Sequence, residues 1–332
     1  MLRYLARRFV IVIPTALAVS FIVFVLMELS PGNYVQRRVE NLRAQGVKVS
    51  QEEADRLMAE WGLDQPFYIR YWRWLRNMSR GNLGQSAVYG RSNLDLLKEA
   101  MPISVTIAVV GILISWAVAI PVGIYSATHQ YSVNDYLLTL LSFFGLGTPV
   151  FLIALLLAWF SVTRFGFAPI GIIAPEYANQ PWSWAKALNL LGHLALPLFL
   201  AGLTGTGGLV RTMRNNLLDQ LRQPYVTTAR AKGLLEKRLL LKYPVRMAMN
   251  PFISALAFVL PAIFSGDVVL AATLGLPTVG SYMYTAVAQE DPYLAGTLLL
   301  FYAVVVMTGT LISDVMLAVV DPRIRLGEGG SR

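Results

Sequence analysis

"LLGHLALPLFLAGLTGTGGLVRTMRNNLLDQLRQPYVTTARAKG", residues 190–233, changes character halfway along. From Leu190 to Val210 it contains no Asp, Glu, Lys or Arg, a run sufficient to cross about 30 Å of hydrocarbon as a helix. Past Arg211, the residues Met213, Leu217, Leu218 and Leu221 recur at helical spacing, so the helix continues beyond its apolar part. Pro224 removes a backbone donor and forces a change of direction. From Val226 to Lys232 the side chains are short or basic, which lets another surface approach the backbone closely, and Gly233 suits a helix end. "LLEKRLLLKYPVR" is expected to resume the helix after it. The result is two short helices lying along the membrane surface.

The rest of the chain agrees with a membrane reading. It has 332 residues, 55% hydrophobic and 14% charged, with a mean hydropathy of +0.54, whereas a soluble domain carries roughly a quarter charged residues. The formal charge of +9 would point to nucleic acid in a soluble protein. Here the basic residues gather between apolar runs, as topology signals and a cytoplasmic docking face, so no nucleic-acid partner is expected. The absence of cysteine excludes a disulfide framework, a thiol nucleophile and a cysteine metal site.

Six stretches are long and apolar enough to span: Phe9–Leu29, Ile103–Ser126, Leu137–Val162, Leu190–Val210, Pro251–Leu274 and Ala295–Val319. The first, with Arg7 and Arg8 before it and Ala16-Leu17-Ala18 within it, also resembles a signal peptide. Its apolar run continues through Met27, too long for such a segment, so it is read as a retained helix. Lysine and arginine concentrate before the first span, between Arg211 and Arg246, and at Arg323, Arg325 and Arg332, whereas the short opposite loops hold Arg164 and Lys186. Both termini are therefore expected in the cytoplasm.

The fold expected is all-α: six transmembrane helices, a small extracytoplasmic helical lobe after helix 1, and cytoplasmic helices between helices 4 and 5. Residues 1–30 form the tail and first span, 31–102 the lobe, 103–322 the transmembrane core with the loop 212–248 inside it, and 323–332 a cytoplasmic tail. In the lobe, Ser50 with Glu53 reads as a capping box opening a helix through Trp61. "GLDQPFYIRYWRWLRN" is rich in the aromatic residues that favour a membrane interface. The tryptophans of "FGFAPIGIIAPEYANQPWSW" suit a loop at headgroup depth.

Catalytic signatures are absent. The chain has no Gly-Lys dipeptide and so no P-loop, and its two histidines, His129 and His193, belong to no metalloprotease motif. His193 reads as a packing residue. "GLTGTGG", residues 202–208, lies within an apolar run with no preceding strand, so its small residues let helices approach closely or line a polar path.

"YVTTARAKG" followed by "PVRMAMNP" at Pro244–Pro251 resembles the conserved cytoplasmic loop, the EAA motif, of ABC-importer permeases of the dipeptide, oligopeptide and nickel class. The opening "YLARRFVIVIPTALAVSFIVFVLMELSPGN", the stretch "LGLPTVGSYMYTAV" and the end "ISDVMLAVVDPRIR" are similar to the first of the two permeases in such systems. The resemblance implies a subunit that pairs with a homologous second permease, two ATPase subunits and an extracytoplasmic solute-binding protein. It implies no cofactor in this chain, ATP and Mg being bound by the ATPase subunits, and it implies a peptide as the first candidate cargo, then an oligosaccharide, an opine-like compound or a nickel chelate.

By the same resemblance the loop is a coupling helix that enters a groove on the ATPase. Tyr225, Thr227, Thr228, Ala229, Arg230, Ala231, Lys232 and Gly233 are its expected residues, with Arg230 and Lys232 meeting acidic groups or membrane lipid phosphates. Threonine stands where the motif name has glutamate. A second departure places Asp267 one turn before Ala271, where a glutamate is frequent; an aspartate at membrane depth should face a pathway or a subunit interface. Asp314 in the last span is the other such candidate, read as a structural anchor. The competing function is a secondary transporter or channel acting alone, suggested by Asp267 and by helix-interrupting Pro121 and Pro149.

Overall fold

The computed structural model describes residues 2–29, 65–252 and 268–320, with isolated positions 39, 50, 56 and 254; the side chains of 2–9, 143–146 and 313–320 are outside the described set. The chain divides into two units, Met1–Pro102 with Thr278–Thr308, and Ile103–Pro277 with Gly309–Arg332. Among the described residues every regular element is a helix. Four are long and apolar enough to cross a membrane: Val10–Leu29, Asn93–Thr128, Trp184–Leu221 and Pro292–Ile312.

In the first unit, α1 (Leu2–Leu29) exposes Val10, Ile13, Leu17, Phe21, Ile22 and Leu26, as a helix facing lipid does. Its other face receives α2 (Phe67–Ser79) through an aromatic cluster. Phe24 meets Phe67, Tyr71 and Trp74 at ring-centroid distances of 5.3, 5.5 and 5.5 Å, and the buried Tyr71 hydroxyl shares a 2.9 Å hydrogen bond with Ser20. The aromatic-rich stretch is thus a helix that leaves Tyr68 and Trp72 exposed. The helix expected from Ser50 to Trp61 lies outside the described residues.

Two short polar networks close this unit. Asp291, 1% exposed, caps α13 (Pro292–Val320) by accepting from the Leu294 amide at 3.1 Å, and it also accepts from Ser86 Oγ at 2.6 Å and the Val88 amide at 3.2 Å. Asn93, the first residue of α3 (Asn93–Thr128), donates to Leu83 O at 3.0 Å and Thr297 Oγ1 at 3.1 Å. Helix α12 (Val279–Ala288) begins with a reciprocal capping box between Thr278 and Ser281.

The second unit is built around a long helix, α7 (Trp184–Leu221), capped by Ser183, whose hydroxyl accepts from the Lys186 amide at 3.2 Å. Its threonines do not open it. Thr204, Thr206 and Thr212 bond back to the carbonyls four residues earlier at 2.9, 2.6 and 2.9 Å, satisfying their hydroxyls inside an apolar element. Gly202 of "GLTGTGG" and Gly111 of α3 allow the close approach of the two helices: a Cβ on Gly202 would lie 2.5 Å from Ile114 Cγ2, and one on Gly111 2.9 Å from Ala201 Cβ. Ser115 Oγ donates to Gly202 O across this approach at 2.5 Å.

The stretch expected as one span over Leu137–Val162 is two helices, α4 (Val133–Gly147) and α5 (Val150–Phe165). Pro149 ends the continuity, because it lacks a backbone donor and serves as the N-cap of α5. A short α6 (Pro175–Ala178) punctuates the loop that follows. In that loop Trp182 is exposed with Lys186 Nζ 5.5 Å from its ring centre, and the Gly171 amide donates to Leu274 O at 2.7 Å. Of the fifth expected span, Pro251–Leu274, the structure describes Pro251, Phe252, Ser254 and the stretch holding α11 (Val268–Thr273). Leu270, Ala271, Leu274 and Leu276 pack there with Ala154 and Leu200.

Candidate functional site

Past the apolar part of α7, the chain builds three short helices: α8 (Pro224–Ala231), α9 (Glu236–Lys242) and α10 (Pro244–Ala248). The expected turn at Pro224 is present, with proline in the first helical position, where a missing amide costs nothing. Thr228 Oγ1 bonds back to Pro224 O at 2.9 Å, and the Tyr225 hydroxyl donates to Gln220 Oε1 at 2.8 Å, tying α8 to the end of α7. The helix expected to resume after Gly233 is broken once more, at Tyr243, because Pro244 opens α10.

Gly233 ends α8 in the left-handed conformation, φ +72°. Its amide donates to Arg230 O at 2.9 Å and the Leu234 amide to Ala229 O at 3.4 Å, the paired bonds of a Schellman ending. Leu234 folds back on Val226, Ala229 and Leu239, which form a small core of their own. Ala229 is therefore a packing residue of the loop, whereas Tyr225, Thr227, Thr228, Ala231, Lys232 and Gly233 are exposed. Leu235, 78% exposed, stands directly after this ending. Sequence reading did not single it out, although an apolar residue two places beyond a helix-ending glycine in a cationic loop was the available signal.

Arg230 does not wait for an external anion. Its Nη2 and Nε donate to the two carboxylate oxygens of Glu236 at 2.6 and 3.1 Å, across the Gly233 turn. The hydrogen bond from Arg230 holds the Glu236 carboxyl below its ordinary value, and the same bond raises the Arg230 guanidinium. Burial pushes the Tyr225 phenol up. Arg230, expected with Lys232 to meet acidic groups or lipid phosphates, is thus already paired within the loop, and both members of that pair remain about half exposed.

Between this loop and the apolar part of α7 lies a cluster that sequence reading missed. Asp135, in the first turn of α4 and 2% exposed, receives Arg214 of α7 through Nη2 at 3.0 Å and Nε at 3.3 Å. Ser126 of α3 makes a close hydrogen bond to the same carboxylate, and Asp135 Oδ2 accepts from the Tyr131 amide at 3.0 Å. Tyr131 is one of two described non-glycine residues with positive φ, 66°, so the carboxylate holds the α3–α4 turn in an unusual conformation. The cluster joins α3, α4 and α7 one turn beyond the apolar run. Immediately beneath it, Met213 and Leu217 pack with Val245, Ala248 and Phe252, which connects α10 to α7.

His193 is buried, bonds Asn189 O through Nδ1 at 2.9 Å and meets Phe167 edge-on at 4.8 Å, a packing arrangement. Asp267 lies outside the described residues. Asp314 lies in α13, and its side chain is outside the described set.

Residues 119–326 match the family model described as binding-protein-dependent transport system inner membrane component, and residues 1–108 match the model of its N-terminal region. The oligopeptide transport system permease protein AppB of Bacillus subtilis is 32% identical over 98% of this chain and 99% of its own. The oligopeptide transport system permease protein OppB of Mycobacterium tuberculosis is 30% identical over 98% of this chain and its whole length. The peptidoglycan transport system permease protein YejB of Agrobacterium fabrum is 28% identical over 97% of each.

Proposed function

This chain belongs to the family of binding-protein-dependent transport system inner membrane components, and we propose that it is one of two homologous permease subunits of an ATP-driven peptide importer. Six segments span the bacterial inner membrane, the third of them broken at Pro149, with both termini in the cytoplasm, and residues 31–102 contribute to an outer lobe. A solute-binding protein delivers a peptide to a path between this subunit and its homologue. Two ATPase subunits bind ATP and Mg and supply the energy, so this chain is not itself an enzyme and holds no cofactor. The peptide cargo is supported by the names of relatives that match over 98% of this chain.

The observation that carries the reading is the unit formed by α8, Gly233 and α9. It has its own small core of Val226, Ala229 and Leu239, a glycine ending that fixes its angle, and an internal ion pair, while Tyr225, Thr227, Thr228, Ala231, Lys232 and Leu235 remain exposed. A helix of small exposed side chains held rigidly at the end of α7 is suited to sit in a groove of an ATPase. Asp267 and Asp314 remain candidates for the pathway or the subunit interface.

The test places single cysteines at Thr227 and Ala231 in a chain that has none of its own, co-expresses the permease pair with its neighbouring ATPases, and measures crosslinking and peptide uptake. Nucleotide-dependent crosslinks are expected, with uptake lost in Ala231→Trp. Uptake by this chain alone in liposomes, driven by an ion gradient without any ATPase, would overturn the proposal.

A further inference from the structure

Within the first unit, the C-terminal end of α1 and one face of α2 enclose a cavity of about 210 Å³. Phe24 and Glu28, four residues apart on α1, line one side; Arg70, Arg73, Trp74 and Asn77 line the other. The α2 residues follow three- and four-residue spacing, so they share one helix face. Arg70 is neutralised by Glu28 at 2.6 Å. Arg73 donates at 2.6 Å to the neutral side chain of Gln65, so among these lining residues one positive charge is uncompensated. Arg70 also leaves its Nε–H buried without a partner, a cost an acceptor entering beside it would relieve.

The position of the cavity identifies what reaches it. Helix α1 is long and apolar enough to span over Val10–Leu29, so Phe24 and the charged Glu28 fall in its last two turns, where hydrocarbon gives way to headgroups. Helix α2 exposes Tyr68 and Trp72, the residue types enriched at that layer. We propose that the cavity binds the headgroup phosphate of an anionic phospholipid, Arg73 and Asn77 donating to the phosphate oxygens while Phe24 and Trp74 pack against the glycerol. Guanidinium and amide donors beside two aromatic faces match a phosphate diester esterified to an apolar body. A zwitterionic lipid fits less well, because its cation would find Glu28 already engaged by Arg70.

The experiment uses the full chain in nanodiscs containing equal phosphatidylglycerol and phosphatidylcholine, released into detergent and analysed by native mass spectrometry for retained lipid. Phosphatidylglycerol is expected to be retained over phosphatidylcholine by roughly tenfold, about 1.4 kcal/mol. Arg73→Ala and Asn77→Leu should each abolish that preference, and Arg73→Lys should keep most of it. Arg73 and Asn77 are exposed, and an unchanged melting temperature verifies that the variants fold. Equal retention of the two lipids, or preference surviving in both loss variants, would overturn the proposal. So would displacement by millimolar inorganic phosphate, which would assign the cavity to a soluble anion instead.

Discussion

Replacing Asp135 with alanine removes the carboxylate on which three helices converge. Its side chain is 3% exposed and that of Arg214 is 23% exposed, so the substitution leaves a guanidinium largely enclosed and without its charged partner. Breaking a buried pair from one side costs about 3–5 kcal/mol. The residual hydration of Arg214 places Asp135→Ala at the low end, about 3 kcal/mol. Arg214→Ala leaves the carboxylate with donors from Ser126 and the Tyr131 amide, so its cost is smaller, about 2 kcal/mol. With both removed, no unpaired charge remains, and the double variant should be more stable than the sum of the singles by about 1.5–3 kcal/mol. Denaturant unfolding of the four proteins in micelles gives the cycle directly. Because the pair is enclosed, the coupling should persist when salt is raised. A coupling under about 0.5 kcal/mol would refute the assignment of this cluster as an enclosed ionic joint.

Gly202→Ala should lower the melting temperature, since its Cβ would meet Ile114 Cγ2 at 2.5 Å, an overpacking cost of about 1–3 kcal/mol; Gly208→Ala in the same helix, with nothing within 4 Å, should be neutral or stabilising, and the double variant with Ile114→Ala should recover much of the loss. Asp291→Ala should destabilise by about 2–3 kcal/mol in thermal unfolding, as the Ser86 hydroxyl and the Val88 and Leu294 amides lose a buried acceptor. The Arg230–Glu236 pair should be insensitive to pH from 6 to 8, roughly the range in which neither group titrates. The folded Glu236 carboxyl lies below its ordinary 4.5, so the pair's contribution is complete above that value and is lost as pH falls through the depressed one. Hydrogen exchange across residues 225–240 reads this loss, and a transition near neutrality would contradict the pairing.

Much of this was legible in sequence because membrane spans and helix breakers act locally. Twenty apolar residues announce a span whatever surrounds them, and Pro224 and Gly233 act through their own backbone chemistry, so the turn into α8 and its ending were readable. Pro149 counts as helix-interrupting only in the competing transporter reading, while the span expected over Leu137–Val162 still runs through it; hydropathy counts side chains and is blind to a missing amide. Asp135 escaped for the opposite reason. Its partners Ser126 and Arg214 are brought to it by a turn at Tyr131 and by the packing of α7, and no spacing rule relates residues 126, 135 and 214. The Arg230–Glu236 pair was closer to reach, since six residues with a glycine between them allow a hairpin return, but reading the loop as a docking surface directed its cations outward.

The cluster's position bears on the proposed coupling role. Helix α7 runs from Trp184 to Leu221, and its interior proline, Pro197, lies before Gly202, so between Gly202 and Leu221 the helix transmits a tilt along its length rather than absorbing it. A displacement imposed at α8 would first meet Tyr225 on Gln220, then the packing of Leu217 and Met213 against α10, then Arg214 on Asp135. Only beyond these does it reach Gly202 and Gly111, where α3 and α7 touch with too little space for a methyl group. Glycine contacts allow two backbones to slide with few side chains to unlock, whereas the ion pair beneath them resists separation in a low-dielectric setting. The arrangement therefore favours α3, α4 and α7 moving as one body at the loop end. Arg214→Ala should then weaken the dependence of ATP hydrolysis on the solute-binding protein more than it weakens assembly with the ATPases. Loss of assembly with coupling intact in the remaining complexes would place the cluster in folding alone.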